Sequence, residues 1–451
     1  MPTRPRGHGT RGQKASRGTS PRGGPLRRYL SSLGAGLVTG ASDDDPSGIA
    51  TYAQAGARYQ LGLLWTALLT LPLMSAVQEI CDRTALATGK TLGELAASRF
   101  SRGGRIVVGV LIAALIAANA LNIAADLAAV GAGVELLLPG QNVWAVVAGL
   151  GLTALVVFGS FSIVAQVFKV LTIALLAYVI VVFLLHPDWP VVAVSTFAPQ
   201  LRPSQGYVAM LVAIFGTTIS PYLFFWQSAH RVEERRDENT RGSSAVPLKT
   251  ASPILEAKTL RKDRRDVLTG MVLSNVVMWA IILSTALTIG ASGGANIQTA
   301  EQAAAALAPL AGRSASIIFA LGFIGSGLLA VPILAASGAV GLSGLLHKRW
   351  GFERTPHQAP FFYVMVAIGL VGGTVLTVLP VNVIRLLVIS AFVNGLAAAP
   401  FLILVMLISS DSKLMGREAN GPLASVLGWG TAALMATGVV VLLGRYLSRA
   451  L

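Results

Sequence analysis

Charge is scarce in this chain. Asp, Glu, Lys and Arg make up 12% of its 451 residues, against 54% hydrophobic residues and a mean hydropathy of +0.68. A soluble domain carries about 25% charged residues, so a water-soluble globular protein is excluded. Cysteine is nearly absent: Cys81 stands alone, which rules out an internal disulfide framework or a thiolate metal centre. The five histidines (His8, His186, His230, His347 and His357) lie in the tail, in loops or at helix ends and form no ligand cluster. No P-loop, nucleophile elbow or HExxH motif is present, so nothing supports an enzyme. Acids are outnumbered, 20 to 35, for a net charge of +15. The bases fall between apolar runs, which reads as membrane topology and attraction to anionic lipid, not as nucleic-acid binding.

Long apolar runs fill the rest, as in Ile106–Leu138 and Val143–Leu185. They are continuous, not alternating, which excludes a transmembrane barrel. The chain reads as an all-α polytopic membrane protein with about eleven spans, at 31–57, 61–86, 106–138, 143–160, 163–186, 207–230, 267–290, 314–346, 359–379, 384–408 and 421–446. Alternate connections (1–28, 82–105, 231–266, 347–358 and 409–420) hold 28 Arg and Lys residues; the remaining connections and the carboxyl tail hold 5. The positive-inside rule then places the amino terminus in the cytoplasm. Residues 1–28, rich in Arg, Gly, Pro and Ser, read as a disordered basic arm without a secretory signal.

Two polar interruptions stand out, Asp43–Gly48 and Gly216–Tyr222, in the first and sixth spans. Each contains a proline, Pro46 or Pro221, which removes a helical hydrogen bond and frees backbone carbonyls. Lipid cannot satisfy those groups, so such breaks line protein cavities. Paired breaks at matching positions of two halves point to a transporter's binding site. The predicted halves are 29–190 and 206–408, oppositely oriented, with the charged loop 231–266 in the second and an appended segment 421–451.

An acid in mid-membrane costs at least about 2.5–3.5 kcal/mol, so each needs a reason. Asp45 precedes Pro46 within the first break; a carboxylate beside unwound carbonyls is a hard-cation site, and the same side chain can also cap the following half-helix. Asp43 and Asp44 read either as an acidic funnel to that site or as groups facing water in a vestibule. Thr217, Ser220 and Tyr222 offer oxygens from the sixth span, although Ser and Thr in membranes often bond back to their own helix. Asn119, Asn122 and Asp126 share a face of the third span, either as a proton or polar path or as a hydrogen-bond cluster between helices. Glu79 reads as a gate residue near the cytoplasmic end of the second span. Glu135 and Asn394 are weaker candidates.

These segments resemble a known family. Gly40–Tyr52, with Asp45-Pro46-Ser47-Gly48, resembles the first-helix D-P-G-N motif of the natural-resistance-associated macrophage protein (NRAMP) family of divalent-metal transporters. Gly216–Tyr222 is similar to that family's sixth-helix G-A-T-V-M-P-H. Ala125–Ala129 resembles its third-helix T-D-L-A-E, and Thr88–Leu92 also fits. The resemblance covers roughly residues 30–445. It implies a leucine-transporter-type fold of two inverted five-span repeats with discontinuous helices 1 and 6, alternating access, and a substrate metal held between those helices by Asp45, Gly48, Thr217 and Ser220.

The departures shape the expectation. Gly48 replaces the family's Asn ligand and Ser220 its Met ligand, so a sulfur donor gives way to oxygen. Tyr222 and Gln227 replace two histidines, and Ala129 replaces the Glu after Asp126, which removes the family's proton partners. The expected function is secondary transport of a divalent cation, Mg²⁺ or Mn²⁺ before softer metals, in a bacterial plasma membrane. The metal is cargo; no cofactor is expected. Two other readings remain at this stage: a carrier of a small organic solute on the same fold, and a non-transporting membrane sensor or scaffold.

Overall fold

The computed structural model describes residues 35–138, 143–158, 173–202, 204–237, 244–250, 252–293 and 296–450. The expected basic arm, and the stretch joining the fourth and fifth spans, lie outside the described residues. All regular structure among the described residues is helical. The first span is split into Ala35–Asp43 and Pro46–Tyr59, and the sixth into Gln205–Thr218 and Pro221–Asp237. The others are Trp65–Thr88, Arg102–Leu137, Trp144–Phe158, Ala177–Leu184, Pro253–Leu287, Ala315–Leu345, Pro360–Leu376, Val383–Ser409 and Pro422–Ala450. Each of the eleven apolar stretches thus meets a helix.

By length and composition alone, six described helical stretches suffice to cross a membrane, and the pair Pro46–Leu63 and Trp65–Thr88 makes a seventh across a bend of 108°. Trp144–Phe158, Ala174–Leu184 and Pro360–Leu376 are apolar but shorter.

Two boundaries differ from the hydropathy reading. The sixth span runs on to Asp237, and the seventh starts at Pro253, with Ser252 capping it. Much of the segment 231–266 is therefore helix that projects beyond the apolar zone. Hydropathy ends a span where charge begins; the two helices run on beyond it, tied to each other by the buried pairs of Arg231 with Asp263 and Asp266. A short helix, Leu92–Arg99, also follows the second span, started by the Thr91–Glu94 capping box.

Contacts between connections sort them onto two ends of the bundle. At one end Arg231 meets Asp263 and Asp266, Arg99 meets Asp411, Arg417 meets Glu256, and Arg236 stacks on Trp350. At the other, Gln54 bonds Asn296 and Ile297, Asn382 bonds Gln298, and Tyr207 bonds Gly62 and Gln200. Thr39 near the start of the first span touches Gln227 near the end of the sixth. The first and sixth spans therefore run in opposite directions, with Thr39 and Gln227 at the charge-rich end.

The broken spans occupy the centre. The apolar window of the sixth span is 83% buried, whereas that of the eleventh is 28% buried and turns Val426 and Val440 outward. Small residues permit the close approach. A methyl group on Gly40 would sit 2.4 Å from the Gly270 carbonyl of the seventh span, and one on Gly216 would sit 2.2 Å from the Ala391 carbonyl of the tenth. Gly216→Ala should lower stability by about 1–3 kcal/mol through overpacking. Gly372→Ala, where a methyl meets nothing within 4 Å, should leave it unchanged or slightly raised. Thermal unfolding of the two detergent-solubilised variants, side by side, checks the contrast.

Candidate functional site

Each break follows from its proline. Pro46 opens the second half-helix from its first position, and Asp45 before it is held extended at φ −68°, ψ 166°. In the sixth span, Ile219 leaves helical geometry at φ −115°, ψ 54°, and the next helix begins at Pro221.

Asp45 uses its two oxygens differently. Oδ1 caps the half-helix, accepting from the Gly48 amide at 2.8 Å and the Ser47 hydroxyl at 2.6 Å. Oδ2 accepts from the Asn122 amide at 3.3 Å and the Tyr222 hydroxyl at 3.4 Å. The cap and the cation-facing carboxylate are thus one side chain, fully inside the protein. Tyr222 also donates to the Ser42 carbonyl at 3.0 Å, closing the first break onto the sixth span.

The other candidates separate. Ser47 brings its hydroxyl 3.5 Å from that of Thr217, so the two breaks face each other. Gly48 belongs to the same contact: a methyl there would lie 3.1 Å from Thr217 Oγ1 and 3.3 Å from the Tyr52 ring. Ser220 turns its hydroxyl back onto the carbonyls of Gly216 and Thr217, at 2.7 and 2.9 Å, which leaves its lone pairs free. Asp126 is buried with no hydrogen bond of ordinary geometry on either oxygen; the Ser47 backbone amide is the donor facing it. Asn119 is drawn elsewhere, donating to Leu334 and Ser337 of the eighth span at 2.9 Å. Its place on the shared face is therefore helix-to-helix bonding, whereas Asn122 reaches Asp45. Glu79 pairs with Arg83 one turn along its own helix and is partly exposed. Glu135 lines a separate cavity of about 590 Å³ beside the fourth span. Asn394 is buried with neither side-chain atom bonded, so it glues no helices together.

Asp43 and Asp44 do not face open water. They are buried, and both meet the Ser274 hydroxyl of the seventh span, at 2.7 and 3.1 Å. Among the described residues no ion pair involves Asp43, Asp44, Asp45 or Asp126. Nor do the described residues gather three or more His, Cys, Asp or Glu side chains as metal ligands. The donors around the breaks are single carboxylates, hydroxyls, an amide and backbone carbonyls.

A charged network closes the bundle on one side of this site. The Asp82 carboxylate accepts from Gln227 at 2.8 Å and from Arg231 at 2.6 Å. Arg231 also reaches Asp263 and Asp266, both at 3.3 Å, and Glu234. Gln227 in turn accepts from Thr39. The first, second, sixth and seventh spans are thereby tied together by buried groups. Sequence reasoning counts Arg231 only as a charge of a connecting segment and passes over Asp82; their distance along the chain carries no signal of the pairing. On the opposite side, a cavity of about 480 Å³ opens between Gln54, Arg58, Met210, Asn382 and Arg385.

The family model for natural resistance-associated macrophage protein-like proteins, Nramp, matches residues 36–444. The chain belongs to the Nramp family. Among relatives, it is 26% identical over 418 residues to the divalent metal cation transporter MntH of Aeromonas hydrophila, covering 90% of this chain and 93% of that one. It is 27% identical over 428 residues to MntH of Verminephrobacter eiseniae, covering 92% and 89%. In structure it is similar to the Eremococcus coleocola manganese transporter in complex with an aromatic bis-isothiourea compound, with a TM-score of 0.70 at 17% identity over 94% of this chain and 88% of that one. The nucleobase-cation-symport-1 family transporter Mhp1 superposes with a TM-score of 0.55 at 13% identity, covering 93% of each chain. The Nramp chain thus has the leucine-transporter-type fold, an inverted repeat with discontinuous first and sixth spans.

Arg231 is the sole cation bonded to Asp82 among the described residues. Arg231→Met should therefore cost about 3–5 kcal/mol, because it strands buried carboxylates. Adding Asp82→Asn should recover part of that loss, so the double variant melts above the sum of the single effects. A double-mutant cycle of thermal unfolding measures it.

Proposed function

We propose that this Nramp protein carries divalent metal cations across a bacterial plasma membrane by alternating access, with Mg²⁺ and Mn²⁺ preferred to softer metals. The observation that carries the reading is Asp45. It sits where both broken spans meet, with one oxygen fixed by the cap and the other turned toward Asn122 and Tyr222. A carboxylate held this way is a preformed ligand, and the freed carbonyls of the breaks supply neutral oxygens. The names of the relatives, transporters of divalent metal and of manganese, support the same cargo class.

Hardness follows from the donor set. Ser220 offers oxygen from the sixth-span break, and the other groups around Asp45 are hydroxyls and an amide. Oxygen donors suit Mg²⁺ and Mn²⁺; sulfur donors suit softer ions. The organic-solute reading needs room beside Gly48, and Thr217 and Tyr52 occupy that room. With the charge-rich end in the cytoplasm, the Asp82–Arg231 network is the closed inner gate and the cavity beside Gln54 is the outer vestibule. Gln227 is held between Asp82 and Thr39 and Tyr222 between Ser42 and Asp45. Neither position titrates as a histidine does, so metal should move without a matching flow of protons.

Proteoliposomes loaded with metal- and pH-sensitive dyes test this. Wild type should take up Mn²⁺ and Mg²⁺ without internal acidification, and Asp45→Ala should abolish both fluxes. Ser220→Met should shift the preference toward Cd²⁺ by about tenfold, or about 1.4 kcal/mol. Wild-type flux of Cd²⁺ far above that of Mn²⁺ and Mg²⁺ refutes the hard-ion assignment.

A further inference from the structure

We infer that Asp43 and Asp44, bridged by Ser274, form a second divalent-cation station next to Asp45, on the inner side of the transport site. This rests on the transport reading above. The two carboxylates end the first half-helix, Ala35–Asp43, and meet one hydroxyl of the seventh span at 2.7 and 3.1 Å. That hydroxyl has one proton and can donate fully to only one of them. The second contact then needs either a proton on the carboxyl or a cation between the two oxygens.

Other groups point to the same place. Asp43 is fully buried, and its Oδ1 has no hydrogen-bond partner. The Tyr52 side chain is fully buried beside them: its ring and the Asp43 carbonyl both come within 3.3 Å of where a methyl on Gly48 would sit, and its hydroxyl makes no hydrogen bond of ordinary geometry. No Arg or Lys among the described residues pairs with either carboxylate. Buried carboxylates without basic partners must either take up a proton or coordinate a cation, and one divalent ion satisfies two adjacent acids at once. A helix C-terminus adds the negative end of its dipole, which favours a cation over an anion. Carboxylates, a hydroxyl and a phenol are hard oxygen donors, so the ligand class is a hard divalent ion.

A purely structural role does not account for two acids. One aspartate on Ser274 would tie the first span to the seventh, and Gly40 against Gly270 already holds that crossing. The second adds charge repulsion and desolvation for a longer contact, at 3.1 Å, with the same hydroxyl. As a station the pair has a use. It lies between Asp45 and the Thr39–Gln227 contact along the half-helix, where an ion leaving Asp45 for the cytoplasm passes next.

Mn²⁺ binding to the purified full-length protein tests the inference, by calorimetry and by loss of the free-ion paramagnetic resonance signal. Monodispersity and thermal unfolding confirm that each variant is folded. Wild type should bind two Mn²⁺ ions per chain. Asp43→Asn/Asp44→Asn should bind one, and Asp45→Ala should bind one. Ser274→Ala should keep two, with the second weakened several-fold. A wild type that binds one ion, lost in Asp45→Ala and kept in the double Asn variant, overturns the station and leaves the transport site standing. Loss of all binding in the double Asn variant also overturns it, since the acids would then share a single site. No Mn²⁺ bound by folded wild type overturns both readings.

Discussion

A charged carboxylate and an unwound backbone are each costly in a membrane, and together they offset each other only at the centre of a protein. Asp45 before Pro46 imposes that constraint on this chain. Its Oδ1 satisfies the amide of Gly48 at the start of a half-helix, so the break costs less than an open one would. The remaining groups freed by the break cannot face lipid. Tyr222 meets the Ser42 carbonyl from within the bundle, while Ser47 and Asn122 donate to the Asp45 carboxylate. The glycine contacts of the first and sixth spans are consequences. Gly40 on Gly270 and Gly216 on Ala391 and Gly395 bring neighbouring backbones close enough to wall off the broken segments.

The two ends of the bundle are closed by different physics. At the end with Asp82, closure depends on one guanidinium shared among several acids. Such an arrangement is stable only while complete, because removing one partner leaves charges buried. It therefore suits an all-or-none opening in which water replaces the partners at once. At the opposite end, Gln54 reaches Asn296 and Ile297 through neutral hydrogen bonds beside a cavity. Neutral bonds exchange with water at a net cost of about 0.5–1.5 kcal/mol each, so this end opens more cheaply.

The sequence shows the spans because charge is excluded from lipid, and it shows the breaks because proline and aspartate are rare there. It cannot show pairings between distant positions. Ser274 is one hydroxyl in an apolar run, with nothing around it to mark that it meets Asp43 and Asp44. Arg231 is read as a loop charge and Asp82 is passed over because hydropathy averages each residue with its neighbours along the chain, not with its partners across the bundle. Of the two readings of the face shared by Asn119, Asn122 and Asp126, Asn119 takes the helix-to-helix one for a geometrical reason. The third span is 36 residues long and packs on several helices, so positions on one face meet different neighbours at different heights. Asn122 meets the first span; Asn119, less than a turn away, meets the eighth. The helical projection of Ile254 to Asp266 beyond the apolar zone is hidden for a related reason: mean hydropathy marks where lipid ends, not where the helix does.

The exchange of sulfur for oxygen in the sixth span also changes the backbone. A methionine at position 220 has no proton to give, and the carbonyls of Gly216 and Thr217 would then point wholly to the break. Ser220 has one proton to share between them, at 2.7 and 2.9 Å, and so draws only in part on the lone pairs that the Thr217 carbonyl can offer. In the proposed site the serine thus trades a soft ligand for a weak hard one and dampens a neighbouring hard one. A site with one strong carboxylate and attenuated neutral donors cannot strip an ion of all its water. Mg²⁺ dehydrates reluctantly and needs little stripping, which makes Asp45 with a retained water shell a better match for it than a closed cage would be. The proposed station at positions 43 and 44 compensates in the other direction, since charge placed beside Asp45 draws a hydrated ion toward it. On the proposed reading, selectivity is a balance between weak ligands at the break and negative charge next to it, with Ser220 on one side and Ser274 on the other.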